Sequence, residues 1–249
     1  MLILLSNDDG IDSEGLIALK EELSHIHDVW AIAPERERTC VGHAITLHKP
    51  LRLREHAPRL FSTNGTPADA ILLGVKGVLP GKPDLVISGI NKGPNMGQDV
   101  TYSGTVAAAK EAALMEIPSM AVSLNGRKDF LFGEASRVIR ELVEKLSAHS
   151  LPPQTFLNVN IPNLLRENVR GFMVTRLGKR IYNGKVVERV DPRGGKYYWI
   201  GGDGDGFEPI AGTDLLAVSQ GYVSITPLQC DMTTYAAMDA FKKILHHPV

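Results

Sequence analysis

The sequence predicts an α/β fold: a doubly wound, Rossmann-like, mostly parallel sheet with a C-terminal antiparallel hairpin extension. Three observations predict it. Short apolar runs at 2–6, 29–33 and 84–89 have the length of buried strands. Stretches with helical spacing separate them, and strands alternating with helices imply parallel βαβ units. Late in the chain, 180–200 joins β-forming residues to turn signals at Asn183-Gly184 and Gly194-Gly195, the strongest hairpin cue present.

Each element follows from local pattern. Residues 2–6 form the first strand, and a helix over 15–26 presents Leu16, Leu19, Leu23 and Ile26 as one stripe, with Ser13 as its N-cap. A strand at 29–33 comes next. Thr66-Pro67-Ala68-Asp69 opens a second helix, Thr capping and Pro at the first helical position. The strand 84–89 precedes an Ala-rich helix over about 105–115. Strand 119–123, helix 134–146 and strand 155–161 complete the α/β part. A further strand is expected at 219–227 and a closing helix at 233–246. The chain is therefore expected to divide into a catalytic core, 1–170, and an arm with returning strand and helix, 171–249. The hairpin reads either as a local extension or as an arm exchanged with another subunit.

Composition narrows the function classes. The 249 residues are 43% apolar and 22% charged, with a formal net charge of -1. That balance gives no overall pull toward a nucleic-acid polymer or an anionic membrane. The first apolar run is too short for a signal peptide, and no window approaches a membrane span. Cys40 and Cys230 alone support neither a disulfide framework nor a CxxC metal site. A cytoplasmic protein is expected.

Ligands of open α/β sheets gather beyond the carboxyl ends of the strands. There the sequence places Asn7, Asp8 and Asp9, then Thr39 and His43, then Asn91, Lys92 and Asn95, and finally Tyr102-Ser103-Gly104-Thr105. Two adjacent carboxylates repel, so they read either as a turn and helix cap or as part of a cation site. With a hydroxyl and carboxamides converging on them, the donors are hard oxygens, which suit Mg²⁺, Mn²⁺ or Ca²⁺ better than zinc. Ser103 and Thr105 read as N-caps, or, with free N–H groups at a helix start, as a phosphate cradle. Lys92 adds charge there or is a solvated lysine. His43 reads as a satisfied loop histidine, and Cys40 as an inert thiol or one whose oxidation impairs the site. Gly89, Gly93 and Gly97 match neither GxGxxG nor GxxxxGK[ST], and GxSxG and HExxH are absent.

The motifs SNDDGIDSEGL, APERERTCVGHAIT, NGTPADA, SGINKGPNMGQDVTYSGTVAAA and GYVSITPL closely resemble the SurE family of stationary-phase survival proteins. That resemblance implies a divalent-metal-dependent phosphatase acting on nucleoside 5′-monophosphates, with some members accepting 3′-nucleotides or short polyphosphate. It implies one cation per subunit, held by Asp8, Asp9, Thr39 and Asn91, where Thr39 replaces the commoner serine. It also implies homodimers or homotetramers with C-terminal exchange. Asn95, Ser103, Gly104 and Thr105 are expected to bind the substrate phosphate, and Asp8 and Asp9 to be catalytic. A non-catalytic nucleotide-binding module is the alternative. A covalent aspartyl-phosphate enzyme fits less well, because its carboxylates stand two residues apart in DxDxT.

Overall fold

The computed structural model describes residues 1–149, 151–182, 184–201 and 206–245. In chain order the elements are β1 (Leu2–Ser6), α1 (Glu14–Ser24), β2 (Asp28–Pro34), β3 (Leu53–Ala57), β4 (Leu60–Thr63), α2 (Pro67–Leu73), β5 (Leu85–Lys92), α3 (Gly104–Leu114), β6 (Ser119–Asn125), α4 (Phe132–Leu146), β7 (Thr155–Pro162), β8 (Phe172–Val174), β9 (Arg180–Ile181), β10 (Lys185–Val190), β11 (Lys196–Gly201), β12 (Gly206–Phe207), α5 (Asp214–Ser219), β13 (Val223–Gln229) and α6 (Tyr235–Leu245). Nine strands form one sheet in the order β3-β4-β2-β1-β5-β6-β7-β13-β8. Pairing from β4 through β7 is parallel; β3 with β4 and β13 with β7 are antiparallel.

Alternation along the strands fills both faces of the sheet. Ile3 and Leu5 of β1 join Leu16, Leu19 and Leu23 of α1 and Ile139 and Leu142 of α4 in one core. Leu4 points the other way, to Ala70 and Ile71 of α2 and Ala108 and Ala112 of α3. The alanines let α3 lie close against the sheet. The result is a three-layer α/β/α arrangement with helices on both faces, as expected of parallel strands.

Several local expectations are refined. Thr66 caps α2 in a reciprocal box: its hydroxyl accepts from the Asp69 N–H at 3.1 Å, while Asp69 Oδ2 accepts from the Thr66 N–H at 2.8 Å. Ser13 stands at the N-cap of α1 but does not cap it; its hydroxyl accepts from Asn7 Nδ2 instead. That helix stops at Ser24, so Ile26 leaves the stripe and is exposed. The strand expected from 219 begins at Val223, because Ser219 ends α5 and Gly221, with φ +83°, makes the turn between them. The hairpin is β10–β11, closed by Asp191–Gly195, where Asp191 O accepts from Gly194 N–H at 3.0 Å. Of the other turn signal, Asn183 lies outside the described residues, as does His246 of the closing helix. The main sheet continues past residue 170, since β13 pairs with β7 inside it.

Candidate active site

Strand order reverses at β1. The chain passes from β1 outward through β2 and β4, then returns to β5 on the other side of β1. Ligands of doubly wound sheets bind at such a switch point. There β1 ends in the turn Ser6–Gly10, which Asn7 holds rigid. Its Oδ1 accepts from the Gly10 N–H at 3.2 Å, and its Nδ2 donates to Gly10 O at 2.9 Å and to Ser13 Oγ. Gly10 has φ +101°, a backbone conformation that side chains resist.

The turn projects Asp8 and Asp9, and three other segments are tied to them. The loop after β2 is tied by the Arg38 N–H, which donates to Asp8 O at 2.7 Å. At the end of β5, next in sequence to Asn91, the Lys92 N–H donates to Asp9 Oδ2 at 3.0 Å. The start of α3 packs on Asp8 itself. The Thr105 hydroxyl donates to Asp8 Oδ1, and a Cβ at Gly104 would stand 2.8 Å from Asp8 Cβ. Glycine is thus required at the first helical position for the aspartate to fit.

Electrostatics follow from this geometry. Asp8 is only 5% exposed. Burial pushes its carboxyl up to about 6, the Thr105 hydroxyl works against the rise, and the Asp9 charge adds to it. Asp9 is also raised, chiefly by burial and then by Glu37, with the Lys92 N–H and ammonium opposing. Neither carboxylate makes an ion pair among the described residues. The fold therefore holds two carboxylates together with too little positive charge, and a divalent cation fits that deficit.

The remaining expected residues divide by what already engages them. Thr39 is exposed, and its hydroxyl donates to Glu37 Oε1. Its loop is tethered again further on, where the Gly42 N–H donates to Tyr102 O at 3.0 Å and His43 Nε2 lies 2.7 Å from Glu111 Oε2. Cys40 is exposed in the same loop. Asn91 Nδ2 donates to Gly93 O at 2.8 Å, so the carboxamide oxygen is the atom left for a cation. Ser103 caps α3, its hydroxyl accepting from the Val106 N–H at 3.0 Å. Among the described residues no three His, Cys, Asp or Glu side chains cluster as a metal site, so the set depends on hydroxyl and carboxamide oxygens beside two carboxylates.

Asn95 is buried in a network that sequence reasoning missed. Its Nδ2 donates to Ser123 Oγ at 2.8 Å, its N–H donates to Asn160 Oδ1 at 2.9 Å, and its carbonyl accepts from Asn158 and Asn160 at 2.8 and 3.0 Å. The signal available was Asn158-Val159-Asn160 in a strand, two amides two residues apart and so on one face. Asp214 was missed as well. Fully buried, it accepts from the N–H groups of Gly97 at 2.8 Å, Gly178 at 2.7 Å and Leu215 at 2.8 Å, pinning the segment between β5 and α3.

The family model described as survival protein SurE matches residues 3–184. The chain belongs to the SurE family. It is 51% identical over 244 residues to the 5′-nucleotidase SurE of Geobacter metallireducens, covering 97% of this chain and 96% of that protein. With the 5′-nucleotidase SurE of Geobacter sulfurreducens it shares 48% identity over 240 residues, covering 96% and 91%. Among solved structures, the SurE protein from Aquifex aeolicus is similar across 98% of this chain and 100% of that one, with a TM-score of 0.90 and 44% identity. The α/β fold with a mostly parallel central sheet is thus the fold of a solved SurE protein.

Proposed function

We propose that this chain is a divalent-metal-dependent 5′-nucleotidase that hydrolyses nucleoside 5′-monophosphates, with 3′-nucleotides and short polyphosphate as further substrates. The observation that carries the reading is the convergence of three separate segments on the pair Asp8–Asp9, buried and half-buried, at the switch point. Relatives about half identical over nearly the whole chain bear the name 5′-nucleotidase SurE, which supports the same activity.

Asp8, Asp9, Thr39 and Asn91 would hold one Mg²⁺, Mn²⁺ or Ca²⁺ per subunit, with Asp8 and Asp9 as the catalytic pair. Such a cation, when bound, supplies Lewis acidity toward a phosphoryl oxygen and orients water. The chain's own residues do the rest. The Thr105 hydroxyl donates to Asp8, fixing it and favouring its ionised form against burial. The first turn of α3, from Ser103 through Gly104 and Thr105, presents the positive end of the helix to phosphate oxygens. Asn95 joins that phosphate site as a positioning residue, since its amide nitrogen already serves Ser123. Phosphoryl transfer depends mainly on such positioning and charge stabilisation.

In the second part of the chain, 171–249, the hairpin β10–β11 and helix α6 are assigned to assembly, in a homodimer or homotetramer, while β13 belongs to the main sheet. Every residue of β10 and β11 is exposed, with Trp199 at 65% and Ile200 at 90%. A bare two-stranded ribbon has marginal stability alone. Helix α6 buries none of its residues, while Phe241, Ile244 and Leu245 stand exposed. A second copy covering these elements accounts for both. No helix among the described residues is long and apolar enough to cross a membrane, and cytoplasmic operation fits the nucleotide substrate.

The test is phosphate release. Protein stripped with chelator is assayed on a panel of nucleoside monophosphates while Mg²⁺, Mn²⁺ or Ca²⁺ is returned singly. Release restored by a cation is the expected result. Nucleotide binding with no release under any cation would overturn the reading in favour of a binding module.

A further inference from the structure

Beside Asp9 opens a cleft of about 810 Å³, at the upper end of the range that small-molecule sites occupy. Its lining includes Phe130, from the loop between β6 and α4, together with Asp12 and Glu37. Phe130 is half-buried, and its ring stacks on that of Phe132, with centroids 5.5 Å apart and planes 13° from parallel. Asn163 pins the loop on both sides of that ring. Its Oδ1 accepts from the Leu131 N–H at 2.9 Å, and its Nδ2 donates to Asp129 O at 3.0 Å. The aromatic surface is thus held in place before any ligand arrives, which lowers the entropic cost of binding on it.

Lys92 links this surface to the carboxylate pair. Its backbone N–H donates to Asp9 Oδ2 at 3.0 Å, and its ammonium lies 5.5 Å from the Phe130 ring centroid. The aromatic ring and Asp9 therefore stand one lysine side chain apart. A nucleoside 5′-monophosphate likewise carries a planar base and an anionic group separated by a short saturated spacer, its ribose. Asp12 and Glu37 are suited to accept from ribose hydroxyls, as a carboxylate does in dinucleotide sites.

We infer that this cleft is the nucleoside subsite of the enzyme and that Phe130 is the platform on which the base stacks. The inference rests on the nucleotidase reading and deepens it. Stacking is tolerant of base identity, because every base offers a π-face. The platform therefore separates nucleotides from base-free phosphomonoesters rather than one nucleotide from another. On nucleotide entry the Lys92 ammonium, on an exposed side chain, leaves the ring for the phosphate.

The experiment compares AMP with ribose 5-phosphate, which lacks the base, in wild-type protein, Phe130→Ala and Phe130→Tyr. Ribose 5-phosphate is read by turnover or by its Ki against AMP. Phe130→Ala is expected to lower kcat/KM for AMP by about 5- to 150-fold, the worth of one base–aromatic stack. Its handling of ribose 5-phosphate should stay within about twofold, and Phe130→Tyr should retain wild-type AMP kinetics. Equal losses on both substrates, or no loss on either with an active wild type, overturn the subsite alone. Wild-type protein that releases phosphate from neither substrate under any cation overturns the nucleotidase reading and the subsite with it.

Discussion

The substitution Asp8→Asn separates a cation site from a structural turn, because the two readings give opposite signs for stability. Burial is the main cause that pushes the Asp8 carboxyl up to about 6 in the folded protein, from an ordinary value of 3.8. A carboxyl raised on folding binds its proton more tightly in the native state, so ionisation costs stability. That cost is absent below about pH 4, grows through the window to pH 6 and is complete above it, where it amounts to about 3 kcal/mol. At pH 5 roughly half of it applies. In chelated buffer at pH 8, Asp8→Asn removes the charge, and its Oδ1 still accepts from the Thr105 hydroxyl. The variant is expected to be more stable than wild type by up to about 3 kcal/mol, or about 6–12 °C in Tm for a chain of this length. Adding Mn²⁺ at one hundred times its Kd should raise wild type by about 2.7 kcal/mol and the variant far less, removing or reversing the gap. Urea unfolding at pH 8 and pH 5, with and without cation and at matched protein concentration, reads all of this. A variant less stable than wild type in chelator at pH 8 would make Asp8 a stabilising turn residue and refute the charge-deficit argument.

Other perturbations reach the same frame from different sides. Gly104→Ala puts a methyl 2.8 Å from Asp8 Cβ, so metal-restored phosphate release should fall by at least about tenfold with far-UV CD unchanged; full activity would show that α3 can retreat. Asp214→Ala leaves the N–H groups of Gly97 and Gly178 without their acceptor, and a loss of about 2–4 kcal/mol in urea unfolding is expected, against near-neutrality if water replaces the carboxylate. Thr66→Ala removes the cap of α2 and should cost about 1 kcal/mol in the same measurement without altering kcat, since α2 lies outside the site. Removing residues 185–201 should convert the assembly to a smaller species in light scattering while monomer secondary structure persists; an unchanged mass would take the hairpin out of the interface.

What was legible in the sequence was what local chemistry controls. β1 and β2 were readable because a strand buried on both faces must be apolar throughout. Asp8 and Asp9 stood out because nothing local rewards adjacent carboxylates at a strand end. By contrast, β3 is exposed at every position, so no alternation marks it, and its pairing with β4 is visible only once the sheet exists. Helix α5 spans six residues between glycines, too short for a period to show. The Asn95 network joins residues 63 and 65 positions apart, and the Asp214 acceptor reaches Gly97 across 117. Such partners are chosen by strand order, which no local pattern encodes. The hairpin was legible as a hairpin from Gly194-Gly195, yet Trp199 and Ile200, paired only across the ribbon with Val187 and Val186 in the strand register, stay exposed, and no local pattern says what would cover them. The division is physical. Residues that carry charge to the switch point announce themselves by the cost of placing them there. Residues that hold those charges in register, such as Asn7, Asn160 and Asp214, look like ordinary polar positions until the fold brings a backbone N–H or carbonyl to meet them.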